Sequence, residues 1–182
     1  SSAASDVYKR QAPYGYVLNS DPVYFDITED NSTEENAVTV VIVEKENAPQ
    51  MGVINVEKTG EYLASVVDTK DSKRLVYAVG GLAGSEYTVT SAEDIYTPDG
   101  TLRYGKDEVV ATLVTKKAGK AVTEPLFLGR YHVVETKAPY GMILNPTVQT
   151  VELTYAGQEV EITETSTGFY NERQKVEIDL KK

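Results

Sequence analysis

Apolar and polar side chains alternate from Gly52 to Lys58, with Ile54, Val56 and Lys58 on one face and Asn55 and Glu57 on the other. A period of two marks a strand with one buried side. The same reading predicts strands over 62–67, 74–79, 86–90, 108–115, 129–136, 147–154, 159–163 and 168–171. Turn chemistry punctuates them. Residues 155–158 and the Ala118-Gly119 pair read as tight hairpins, and Pro98-Asp99-Gly100 as a turn. Ser91, followed by Glu93 and Asp94, has a capping pattern that predicts one helical turn over 91–96. Nothing in the chain reads as a long helix. Many short strands separated by turns define an all-β chain folded as a sandwich.

The pattern breaks in three places. Lys58 stands where Ile54 and Val56 predict another apolar side chain. Glu135 ends the stripe formed by Tyr131 and Val133, and Asn171 follows Phe169 by the same two-residue step. Taken singly, each is explained by a solvated strand end or by turn formation, since unpaired charges are rarely buried. Converging in an apolar core, the three would behave differently. Desolvation would drive the amine toward neutral and the carboxyl toward protonated. A neutral amine is a nucleophile, and a protonated carboxyl can donate to the asparagine carbonyl while shuttling protons. The product would be an amide between Lys58 and Asn171, with ammonia leaving. No metal, cofactor or second substrate is required, and folding itself supplies the proximity.

The chain also repeats. Residues 47–58 (NAPQMGVINVEK) align without a gap on 171–182 (NERQKVEIDLKK), an offset of 182 − 58 = 124. Residues 12–19 (APYGYVLN) align on 138–145 (APYGMILN), an offset of 138 − 12 = 126. The chain therefore reads as a window on a tandem array. Residues 12–50 are the C-terminal remnant of one repeat, 51–173 a complete domain, and 174–182 the first strand of the next. A domain of roughly 120 residues can bury a core of its own. Domains strung in series point to a stalk. Only Ala48-Pro49-Gln50-Met51 separates neighbours, and a proline in so short a connection limits their freedom. Asn47 and Lys182 occupy the bonding positions of their own repeats without partners in this chain. Neither is expected to be bonded, and the segment 16–47 is expected to be an orphan hairpin with an exposed edge.

Residues 1–11 are set aside from the fold. Asp6-Val-Tyr-Lys-Arg-Gln11 is what one reading frame of a transposon-end sequencing adapter encodes. Position 9 is a lysine where position 135 is a glutamate, and similarity between the copies begins only at Ala12. These residues read as a processing scar.

Composition narrows the function by exclusion. A net charge of −10 repels nucleic acid and anionic membrane surfaces, so neither is an expected partner. No apolar run is long enough for a membrane span. Without cysteine there is no disulfide framework and no thiolate metal site, and a single histidine rules out a His-rich one. That residue, His132, points away from Glu135 by strand parity and reads as a surface residue.

Four stretches, GVINVEK (52–58), LAGSEYTV (82–89), LFLGRYHVVETKAPYG (126–141) and FYN (169–171), together resemble the Cna-B or SpaA-type repeats of Gram-positive surface proteins. The resemblance covers 51–173 and is most specific over 129–141. It implies a prealbumin-like, inverse immunoglobulin-type β-sandwich and a cell-wall-anchored, extracellular stalk repeat of an adhesin or pilin. It further implies an autocatalytic intramolecular isopeptide bond. The family's lysine ends the first strand, as Lys58 does. Its acid sits in an E-T-x-A-P-x-G motif matched by Glu135, and its asparagine ends the last strand, as Asn171 does. Two departures are present. Met142 replaces the usual aromatic after APxG, and a longer stretch between Lys58 and Leu82 predicts an extra hairpin near 61–79.

Neighbouring repeats and a host matrix or cell-surface ligand are the expected partners. A competing reading is a ligand-binding β-sandwich that recognises host protein or carbohydrate through loops such as 95–104. Tyr87, Tyr96 and Tyr104 would then stack on sugars, although such tyrosines are more often half-buried strand residues. A hydrolase is the weakest reading, because there is no nucleophile elbow, metal motif or phosphate loop. No enzyme with turnover is expected.

Overall fold

The computed structural model describes residues 3–7, 11–27, 41–179 and 181. Lys9 and Lys182, both invoked above, lie outside the described residues. Among those described, the chain forms strands and no helix. In order they are β1 (Ala3–Val7), β2 (Val23–Ile27), β3 (Met51–Asp68), β4 (Lys73–Gly81), β5 (Glu86–Ser91), β6 (Ile95–Tyr96) and β7 (Leu102–Tyr104). There follow β8 (Val109–Val114), β9 (Lys120–Val122), β10 (Leu126–Phe127), β11 (Gly129–Lys137), β12 (Val148–Leu153) and β13 (Ile162–Asn171).

Two sheets face each other. In the first, β3 is the spine. One of its edges is taken in turn by β10, β9 and β4, all antiparallel. Its other edge pairs with β13 in parallel, from Ile162 opposite Met51 to Asn171 opposite Gly60. The second sheet runs β12-β11-β5-β8 and is antiparallel throughout. Ile54, Val56 and Phe169 from the first sheet meet Tyr87, Val89, Tyr131, Val133 and Leu153 from the second, all buried. This is the sandwich that the alternation predicts, with the expected faces inward.

Several local expectations give way to tertiary context. The predicted strand 168–171 and the last two residues of the predicted strand 159–163 are parts of one strand, β13, while 159–161 precede it. Its inward face is carried by half-buried Thr163, Thr165 and Thr167, so the apolar signal is interrupted although the strand is not. Residues 155–158 do not close a hairpin, because β12 and β13 belong to opposite sheets and the segment crosses between them. Ala118-Gly119 likewise joins strands of opposite sheets, although it makes a local turn in which Gly119 N–H donates to Lys116 O. The helical turn over 91–96 does not form. Ser91 ends β5 and spends its hydroxyl on the carbonyls of Gly105 and Glu108, while β6 pairs with β7.

The extra hairpin is present as β3 and β4, which pair from Thr59 opposite Gly81 to Asp68 opposite Lys73. It continues past Gly60, the last β3 residue that β13 reaches. Arg173 ties the hairpin to the chain leaving β13, bonding Glu61 and placing its guanidinium 4.1 Å from the Tyr77 ring centre.

Residues 3–7, set aside from the fold above, form β1. The β1–β2 register runs from Ala3 opposite Ile27 to Val7 opposite Val23. Shifted by 126, it is the register of β11 and β12, from Gly129 opposite Leu153 to Val133 opposite Gln149. β2 thus pairs with the residues before it. Of the orphan hairpin expected over 16–47, residues 28–40 lie outside the described residues, and the described residues 41–47 form no strand.

Candidate functional site

The three residues that break the strand pattern come together at one end of the core. Lys58 and Asn171 sit on neighbouring parallel strands, with Phe169 opposite Lys58 and Asn171 opposite Gly60. Glu135 reaches them from β11 in the facing sheet. All three are buried, at 0% exposure for Lys58, 2% for Glu135 and 1% for Asn171. The Lys58 ammonium nitrogen Nζ lies 2.7 Å from Glu135 Oε1 and donates to Asn171 Oδ1. The Asn171 amide Nδ2 donates to both carboxylate oxygens, at 3.0 and 2.9 Å. One carboxylate therefore holds the amine and the amide on the same side. The buried Tyr87 and Phe169 rings pack against each other with centroids 4.9 Å apart.

Other parts of the chain fix this arrangement. Ser85 Oγ, just before β5, donates to Glu135 Oε1. The Asn145 backbone N–H donates to Oε2 at 2.7 Å. Asn145 is brought there by the Ala138-Pro139-Tyr140-Gly141 turn, which Met142 N–H closes on Pro139 O and which needs Gly141 at φ 77. Lys58 is held from behind by Gly119. The Lys58 N–H donates to Gly119 O at 2.6 Å, and Lys58 O accepts from Leu82 N–H. Gly119 has φ +74, and a Cβ there would lie 2.2 Å from Lys58 O and 2.7 Å from Gly81 Cα. Ser85 falls inside LAGSEYTV, but loop residues carry no period, so its contact with Glu135 was not readable. The Asn145 contact is through backbone and has no side-chain signal at all.

Burial lowers the Lys58 amine below its ordinary value, against the opposing pull of Glu135 beside it. Burial is also the largest single influence on Glu135 and pushes its carboxyl up. Lys58, Ser85, the Asn145 N–H and Asn171 together outweigh it and hold the carboxyl below the usual carboxylate range. The protonated carboxyl expected from desolvation alone is thus corrected, because four donors converge on it. The resting site pairs an easily deprotonated amine with a carboxylate placed to accept its proton.

The other candidate residues are scattered. Tyr87 is buried in the core, and Tyr104 packs edge-on against Tyr131 and at a tilt against Phe127. Of the three tyrosines offered as stacking platforms only Tyr96 is exposed. His132 pairs with Thr150 on the outer face of the second sheet. In the segment before Met51, Asn47 Oδ1 accepts from Asn19 N–H at 3.3 Å. The equivalent Asn145 N–H goes to Glu135.

A family model described as the SpaA prealbumin-like fold domain matches residues 76–167. Glu135 lies inside that segment, and Lys58 and Asn171 flank it. No curated protein matches the chain. Among solved structures, the TIE protein of Bacillus anthracis is similar at 21% identity and a TM-score of 0.53, over 94% of this chain and 25% of that one. The minor pilin GBS52 of Streptococcus agalactiae is similar at 15% identity and a TM-score of 0.45, over 96% and 66%. The major pilin SpaA of Corynebacterium diphtheriae is similar at 19% identity and a TM-score of 0.44, over 68% and 31%. The chain thus spans about a quarter of the length of the Bacillus anthracis protein, whose likeness is one of fold. With half of its length matched by the family model and its two sheets arranged as described, this chain belongs to the SpaA family of prealbumin-like fold domains.

Proposed function

We propose that residues 51–173 are one complete repeat of a stalk in a cell-wall-anchored Gram-positive surface protein, adhesin or pilin. In this reading 12–50 closes the preceding repeat and 174–182 opens the next. The repeat is a structural domain without turnover, and it performs one reaction on itself, joining Lys58 to Asn171. The observation that carries the reading is the buried contact of Lys58, Glu135 and Asn171, an arrangement too costly to keep in a core unless it has a use.

The reaction follows from the geometry. Glu135 takes a proton from the Lys58 ammonium, whose charge burial already disfavours. The neutral Nζ attacks Cγ of Asn171 and forms a C–N bond, giving a tetrahedral intermediate. Glu135 gives its proton to Nδ2 and takes up the second proton from Nζ, the C–Nδ2 bond breaks, and ammonia leaves, carrying that second proton away as ammonium. A secondary amide remains, with Glu135 regenerated. All reacting groups are held by folding, so effective concentration supplies most of the acceleration.

Intact mass tests this directly. The purified chain is expected to be one ammonia lighter than its sequence mass, and Lys58→Ala or Glu135→Ala is expected to restore the full value. A folded chain at full sequence mass would remove the cross-link from this proposal. A ligand-binding role gains little from the tyrosines, since Tyr87 lies in the core and half-buried Tyr104 packs against it.

A further inference from the structure

The junction before Met51 has a geometry that the far end of the domain repeats. Gln50 is 1% exposed, and its side chain enters the loop between β12 and β13. Its Nε2 donates to Gly157 O at 2.8 Å and to Val160 O, and its Oε1 accepts from Ala156 N–H at 2.8 Å. Beside it, Leu18 N–H donates to Gln158 O at 2.9 Å, and the rings of Tyr14 and Tyr155 lie 4.6 Å apart. Residues of the 12–50 segment thus grip one loop of the 51–173 domain.

At the other end the gripping half is already built. Gln50 N–H donates to Gly15 O, and Gln174 N–H donates to Gly141 O, both at 2.8 Å. Val17 N–H donates to Ala48 O at 2.9 Å, and Ile143 N–H to Glu172 O at 2.8 Å. The isolated bridge between Tyr16 and Pro49 recurs between Met142 and Arg173. Tyr140, the counterpart of Tyr14, is fully exposed. Gln174, the counterpart of Gln50, is exposed, and its side chain makes a long bond to Met142 O at 3.4 Å. Where Pro49 stiffens the first junction, Arg173 is held at the second by Glu61 and Tyr77 of the hairpin.

We infer that the face formed by Tyr140, Gly141 and Gln174 is a docking surface for a second copy of this domain, the next repeat. Gln174 enters that copy's counterpart of the 156–160 loop as Gln50 enters this one, so adjoining repeats sit in one fixed orientation. The inference rests on the tandem-array reading above and adds the latch and its partner.

Two measurements test it. In the chain as it stands, Gln50→Ala is expected to speed hydrogen exchange at the Ala156 and Leu18 amides roughly tenfold or more, leaving Val89 and Val133 unchanged. For the far end, the full chain is extended after Lys182 by a second copy of residues 59–182. The chain has no cysteine, so Lys106→Cys in both copies accepts two spin labels. One narrow inter-label distance is expected, and Gln174→Ala is expected to broaden it. A broad distribution with Gln174 in place, or unchanged exchange in Gln50→Ala, overturns the inference. If the second copy is folded by its own core protection and mass deficit, only the docking falls. If it does not fold, the array reading falls with it.

Discussion

Glu135 is where the competing demands of the site meet. Five donor contacts from four residues saturate its two oxygens, which is why it stays ionised in a core that otherwise favours the neutral acid. Glu135→Gln keeps the shape and removes the proton acceptor. It is expected to fold, to retain full sequence mass, and to leave the Lys58 ammonium without a counter-charge, at a cost of about 3–5 kcal/mol in chemical denaturation beyond the loss of the link itself. The pH dependence has a definite sign. In Asn171→Ala, which cannot cross-link, the unfolded chain takes up protons before folded Glu135 and, at higher pH, before folded Lys58. Stability is therefore expected to fall as pH drops through the carboxylate range, and to rise with pH toward the ordinary lysine value. The bonded chain has no Lys58 amine to titrate, so the alkaline rise should be missing from its denaturation profile. Lys58, Glu135 and Asn171 were legible because each is a polar residue on the parity of an apolar face. Ser85 and the Asn145 N–H were not, since hydrogen bonds made by loops leave no periodic trace.

At the scale of elements, β3 organises the domain, and the pieces around it differ in how plainly they announced themselves. Its first half alternates cleanly and was readable. β13 was seen as two strands because threonines carry its buried face between Ile162 and Phe169. The Ala118-Gly119 turn was readable as a turn, but its purpose was not. It presses on the Lys58 backbone and leaves no room for a side chain. Gly119→Ala is expected to cost on the order of 1–3 kcal/mol in urea denaturation, from a strained φ and a backbone clash. The same change should leave part of the purified chain at full mass, because Lys58 is displaced from Asn171. The far part of the β3–β4 hairpin touches none of the three reacting residues by hydrogen bond, and exposes Leu63, Val66, Leu75 and Val79. Excising residues 63–77 with a short turn in their place is expected to leave the mass deficit intact.

Over the whole molecule, the first and last strands of the domain lie side by side and point the same way. The chain therefore comes in at one end of the sandwich and goes out at the other, which suits a unit in a line. A link from Lys58 to Asn171 would close a loop of 171 − 58 = 113 residues. By the chain-entropy relation for cross-links, that adds on the order of 4–5 kcal/mol. Lys58→Ala is expected to lose at least this much, read as a lower denaturation midpoint with full sequence mass. The parallel arrangement has one more consequence. From Met51 the covalent route would run seven residues to Lys58, cross to Asn171 and leave, so residues 59–170 form a side loop off the main line. A protease that cuts anywhere in that loop, for instance at the exposed 69–72 tip, would nick the backbone without severing the covalent line from Met51 to the residues after Asn171.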